Sequence, residues 1–149
     1  MQNFNIQDSV LYEDNDILVC HKPAGIAVQN ARLGVADIES SLKNYLALKN
    51  PGKIPYLGII HRLDQPVEGV LVFAKTQKAA SELNRQITAK TVTKEYLAVT
   101  AQMPDEKQGH LEDYLKKDNR TNSSSVVASK TPGAKKAVLD YWVQEEIKD

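Results

Sequence analysis

The chain has 149 residues, of which 42% are hydrophobic and 6% aromatic, and it balances 19 basic against 19 acidic side chains. That length supports one hydrophobic core and is short for two domains, and no stretch approaches the roughly 20 apolar residues that span a bilayer. The single cysteine, Cys20, excludes an internal disulfide and a thiolate metal cluster, and the first ten residues lack the basic-then-apolar order of a secretory signal, so the chain is read as cytoplasmic, with no membrane partner.

In chain order, Val10 to Cys20 predicts a hairpin: the β-prone runs VLY and ILVC flank the turn-forming EDND. Cys20, inside ILVC, reads as a small buried residue. HKPAG follows, in which Pro23 fixes its own φ and Gly25 relieves steric limits, making a rigid corner before Ile26-Ala27-Val28. Lys22 beside that corner is either a phosphate contact or a solvated lysine at a turn. Residues 37 to 49 predict a helix with Asp37 as N-cap and Ile38, Leu42, Tyr45 and Leu46 on its apolar face, ended by Asn50-Pro51-Gly52. Ile54 to Ile60 returns the chain to the core. Val70 to Ala74 predicts a strand buried on both faces, and Thr76 caps a second helix with Ala80, Leu83 and Ile87 as its packing stripe. Thr93 to Thr100 alternates as a strand, Tyr96, Ala98 and Thr100 on one side and Leu97 and Val99 on the other. Residues 101 to 136 are punctuated by Pro104, Gly109, Pro132, Gly133 and the polar run Asn119 to Ser125, and no strand order is legible there; Ala137 to Val143 is a final strand. Strands and two helices without regular alternation predict an α+β domain on a mixed or antiparallel sheet flanked by helices.

The charge is unevenly placed. Residues 61 to 136 carry 13 basic and 9 acidic side chains, a net of +4, against −1 for residues 1 to 60 and −3 for residues 137 to 149. Mild basicity across the middle permits a nucleic-acid surface, and a solvated face explains it as well. Within this stretch, His61-Arg62-Leu63-Asp64 sets charge between two apolar runs, where it costs desolvation energy unless paired or used. Asp64 is the first candidate for chemistry; the bland alternative is an Asp that caps a turn or pairs with Arg62. His61 reads as a core or supporting histidine, and the scattered His21, His61 and His110 argue against a metal site.

Three motifs in order carry a family resemblance: EDNDILVCHKPAG from Glu13 to Gly25, GIIHRLDQPVEGVLVFAKT from Gly58 to Thr76, and Lys94-Glu95-Tyr96 in TKEYLAV. Together they resemble the RluA-type pseudouridine synthases over nearly the whole chain. Gln65 stands where many members have a basic residue and Glu68 where many have serine. The TGR-x-HQIR-like segment of the family has no counterpart here, so the chain is expected to be a single, incomplete catalytic domain without an N-terminal S4-like RNA-binding domain.

The resemblance implies a pseudouridine synthase fold and the isomerisation of uridine in structured RNA, ribosomal or transfer, with no cofactor, because between isomers neither an oxidant nor an energy-rich group is required. It gives Asp64 the role of catalytic carboxylate, as nucleophile, as stabiliser of oxocarbenium-like charge, or as base toward the sugar. Arg62 is implied near the displaced base pair, where it either pairs with Asp64 or clamps a phosphate. Tyr96 is implied as the aromatic wall for the extruded uracil. Lys94 and Lys22 are candidate phosphate contacts, and Gly69 a position of close approach after the active loop. Lys75, Lys78, Arg85 and Lys90 extend a basic surface along the second helix. A non-catalytic RNA-binding protein is the alternative.

Overall fold

The computed structural model describes residues 4–30, 34–121 and 123–146. The chain divides into two compact units, Met1–Glu95 and Tyr96–Asp149.

The first unit is built on an antiparallel sheet in the order β1-β2-β4-β3. A short helix α1 (Ile6–Ser9), capped by the Asn5 side chain on Gln7 N–H, leads into β1 (Val10–Glu13) and β2 (Ile17–Lys22). The turn between them forms where Asp14 Oδ1 accepts from the N–H groups of Asp16 and Ile17, both at 2.8 Å. This is the use of Asp that EDND predicts. Helix α2 (Ile38–Lys49) begins as expected at Asp37, whose Oδ1 accepts from Ser40 N–H at 2.7 Å, and ends at Asn50. Its buried side chains Ile38, Leu42 and Leu46 join Leu18, Cys20, Leu71 and Phe73 of the sheet in the core. Burying each large apolar side chain there contributes roughly 1.5–3 kcal/mol.

β3 (Gly58–Ile59) and β4 (Gly69–Ala74) complete the sheet. In β4, Leu71 and Phe73 are buried against the core, whereas Val70 is 56% exposed, which corrects the expectation of a strand covered on both faces. The reason is the position of α3 (Gln77–Thr88), which packs on the second face against β3 and the Ala74 end of β4 and leaves the Val70 end open. Thr76 caps α3 as expected, accepting from Ala79 N–H at 3.1 Å. The helix closes on Lys90, whose φ of 55° is left-handed.

Residues 93–100 form no strand. They are exposed throughout, Leu97 and Val99 at 91% and 94%, and meet no ladder partner among the described residues. Alternation states a propensity, whereas a strand also needs a neighbouring edge to take its N–H and C=O groups.

The second unit holds a three-stranded antiparallel sheet, β6-β5-β7, from β5 (Gln108–Asp118), β6 (Ser123–Val126) and β7 (Lys135–Trp142). The polar run Asn119 to Ser125 makes the β5–β6 turn and the start of β6, with Asn122 outside the described residues. β7 corresponds to the expected last strand. Among the described residues no helix is long and apolar enough to cross a membrane and no group of side chains is placed to hold a metal ion.

Candidate active site

The first unit concentrates its candidate chemistry where the chain passes from β3 to β4. Asp64 opens a four-residue turn that Val67 N–H closes on the Asp64 carbonyl at 3.0 Å, a position at which Asp is favoured. Arg62 and Asp64 are both exposed. Among the described residues no ion pair joins them, so of the two alternatives for Arg62 the pair with Asp64 is not formed. Arg62 instead lines an open depression with Gln29, Ile59, Ile60 and His61.

The turn is held from outside by the KPAG corner. Gly25 N–H donates to the Gln65 carbonyl at 2.9 Å, and Gln65 Nε2 donates back to the Gly25 carbonyl at 2.9 Å. Gly25 has φ of +87°, which favours glycine and lets the corner turn back on the loop. Lys22 is placed differently from the expected phosphate contact. Its side chain is wholly buried, and Nζ donates to the carbonyls of Pro23 at 3.0 Å, Ile26 at 2.7 Å and Gln65 at 3.1 Å. An ammonium has three N–H donors, and each has a carbonyl, so none is left for a phosphate. Burial pushes the Lys22 pKa down, opposed by the negative charges of Asp64 and Glu68. Lys22, the one buried cation among the described residues, thus sits within the field of both carboxylates and ties the corner to the residue after Asp64.

Gly69 serves a close approach of a different kind. A Cβ there would stand 3.0 Å from Leu63 Cδ1, so the glycine makes room for the side chain that precedes Asp64. Glu68 is matched by His21 on the adjacent strand, Nε2 to Oε1 at 3.1 Å. His61 is tied into the sheet: its Nε2 accepts from Val72 N–H at 3.1 Å. Burial, and next the charge of Lys94, push its pKa below the ordinary histidine value. Lys94 therefore belongs to the electrostatic surroundings of the His61 loop. Tyr96 begins the second unit and its side chain is 65% exposed. Of the basic residues expected along α3, Lys75 is engaged by Glu13 Oε1 at 2.8 Å and by the Asp14 carbonyl, and Arg85 pairs with Glu82 at 2.7 Å.

Gln65 and Gln29 are site residues that the sequence reading did not single out. In the sequence Gln65 reads only as a departure from a basic residue, and its pairing with Gly25 gives the amide a structural role there. Gln29 follows the Ile26-Ala27-Val28 run and had no signal of its own.

These features, an exposed aspartate on a turn bracketed by KPAG and HRLD, coincide with the span matched by the family model described as RNA pseudouridylate synthase, residues 16–147. The chain belongs to this family. Among its relatives, the ribosomal large subunit pseudouridine synthase D of Xanthomonas campestris is 40% identical over 93 residues, covering 61% of this chain and 27% of the relative. The enzyme of the same name from Vibrio cholerae is 31% identical over 153 residues, covering 99% of this chain and 45% of the relative. The solved structure of human RNA pseudouridylate synthase domain containing 4 superposes with a TM-score of 0.72 at 22% identity, covering 89% of this chain and 52% of that chain. The pseudouridine synthase fold expected from the motifs is thereby shown, and the chain spans less than half the length of the two bacterial relatives and about half of that structure.

Proposed function

We propose that the protein is an RNA pseudouridine synthase that isomerises uridine in ribosomal or transfer RNA in the cytoplasm, with Asp64 as its reactive carboxylate. The observation that carries this reading is the mounting of Asp64: an open carboxylate on a turn whose next residue, Gln65, is fixed by three hydrogen bonds from and to the KPAG corner. Fixing a charged group before substrate arrives is what preorganised catalysis requires.

In the reaction, the C1′–N1 bond of uridine breaks, the uracil rotates, C5 bonds to C1′, the C5 proton leaves and N1 gains a proton. Atoms and electrons balance without a cofactor. Asp64 acts on the sugar, as nucleophile, as counter-charge or as base. The target must leave its stack to reach it. The exposed Arg62 guanidinium beside the turn is suited to a phosphate or to the vacated base pair. The stacking role of Tyr96 and the phosphate role of Lys94 rest on the Lys94-Glu95-Tyr96 resemblance. Gly69 supports the site through Leu63.

The test uses unmodified ribosomal and transfer RNA carrying tritium at uridine C5. The proposal expects release of tritium to water, since C5 loses its hydrogen. A folded protein that binds these RNAs without release is the non-catalytic alternative. That alternative predicts RNA affinity that falls with salt as counterions are released.

A further inference from the structure

His61 stands where β3 leaves the sheet. β3 pairs with β4 through Gly58↔Ala74 and Ile59↔Phe73. In an antiparallel ladder alternate residues turn their N–H groups to the same neighbour, so after Ala74 the next N–H of β4 facing β3 is that of Val72. A continued β3 would meet it with a backbone carbonyl. Here the imidazole Nε2 of His61 meets it, at 3.1 Å. A side chain has replaced the last rung of the ladder, and the backbone is released into Arg62, Leu63 and Asp64.

The geometry also sets the ring's state. A nitrogen that receives an N–H must carry a lone pair, so Nε2 is unprotonated and the neutral ring holds its proton on Nδ1. Imidazolium would turn a donor toward a donor. The surroundings agree. The ring is half-buried, the charged side chain acting on it from the segment after α3 is Lys94, and Arg62 lines the same depression. β4 presents Val72 and the loop after β2 presents Gln29, both uncharged. Among the described residues no carboxylate faces the ring to stabilise its cation.

We propose that His61 is a positioning residue for Asp64: its neutral Nδ1–H form replaces a backbone rung at Val72, sets the direction in which the Asp64 turn leaves the sheet, and loses that hold on protonation. This rests on the reading of Asp64 as the reactive carboxylate. Asp64 then sits between two anchors, His61–Val72 before it and Gln65–Gly25 with Lys22 after it.

The experiment has one arm that needs no turnover. Nitrogen-15 NMR of the protein across pH reports the tautomer of His61 and the amide of Val72. We expect Nε2 unprotonated at neutral pH, and a Val72 amide that shifts together with His61 titration, at a pH below the ordinary imidazole value of about 6.5. The second arm compares rates of pseudouridine formation. His61→Ala should lower kcat about tenfold with a smaller change in KM for RNA. His61→Gln offers an acceptor oxygen that does not titrate; it should restore most of that loss at pH 7.5 and remove the acid limb seen in the native protein at the Val72 midpoint. A proton on Nε2, a Val72 amide blind to His61 titration, or an unchanged acid limb in His61→Gln would overturn the proposal. If no RNA is turned over, the reading of Asp64 fails while the NMR arm still decides what His61 does.

Discussion

Lys22 Nζ donates to the backbone carbonyl of Gln65 at 3.1 Å, so a buried strand residue of the first motif holds the residue directly after Asp64 in the second. Two segments some forty residues apart in sequence are thereby one structural unit, and the Lys22 ammonium is taken up by the corner and the turn.

Lys22→Met keeps length and removes the charge. It leaves the carbonyls of Pro23, Ile26 and Gln65 without their ammonium. Losing a buried, charge-assisted set of bonds is expected to cost about 2 kcal/mol of unfolding free energy. Lys22→Arg should not recover it, because a planar fork does not reproduce three convergent donors. Urea unfolding of the three proteins checks this; a Lys22→Met midpoint equal to the native one would contradict it.

Gly69→Ala brings a Cβ to 3.0 Å from Leu63 Cδ1, so Leu63 must give by a few tenths of an ångström. Overpacking of this kind costs about 1 kcal/mol. Because Leu63 precedes Asp64, turnover should fall by more than the stability loss explains. Unchanged kcat in a protein with a lowered melting point would show that Leu63 moves without moving Asp64.

Gln65→Ala removes one bond to Gly25 and leaves the backbone bonds from Gly25 and Lys22 to residue 65 in place. Its expected effect on stability is about 1 kcal/mol. Proteolysis in the 61–68 loop should quicken while the rest of the first unit stays protected. Unaltered cleavage there would mean that the side-chain bond adds nothing to the turn.

Glu13 sets an acid limit for the first unit. Its carboxylate accepts from Lys49 at 2.7 Å, Lys75 at 2.8 Å and Tyr45 at 2.9 Å. Burial, the largest single influence, pushes the carboxyl up, and these three partners together outweigh it and bring the pKa from 4.5 to about 2. A depressed carboxyl stabilises fully above its unfolded value and loses that contribution as pH falls through its folded one. Glu13→Gln should therefore be less stable by about 1–2 kcal/mol at pH 7, allowing for solvent screening. The gap should close as pH falls from 4.5 toward about 2. A gap that is constant with pH would remove the charge from the explanation.

What the sequence shows of this fold follows from side-chain signals. The Val10–Cys20 hairpin and the Asp37 cap are legible because turn and cap residues bond their own backbone nearby. β5 carries QGHLEDYLKKD, mostly polar on a sheet whose side chains are largely exposed, so it gives no burial pattern to read. Residues 93–100 give the opposite case, a strong alternation with no partner strand among the described residues. In the candidate site, Asp64 is legible as a charge between apolar runs. The Gln65 carbonyl that fixes its turn is backbone and leaves no mark in composition. Lys22 misleads for a related reason: beside Pro23 and Gly25 it looks solvated, and only the alternation of β2 turns it inward beneath the corner.

The most direct measurement is base-resolved pseudouridine mapping of ribosomal and transfer RNA incubated with the protein, beside a folded Asp64→Asn variant. The account predicts new pseudouridine at defined uridines with the native protein and none above background with Asp64→Asn. Equal modification by the two proteins, or none by the folded native protein, would contradict it.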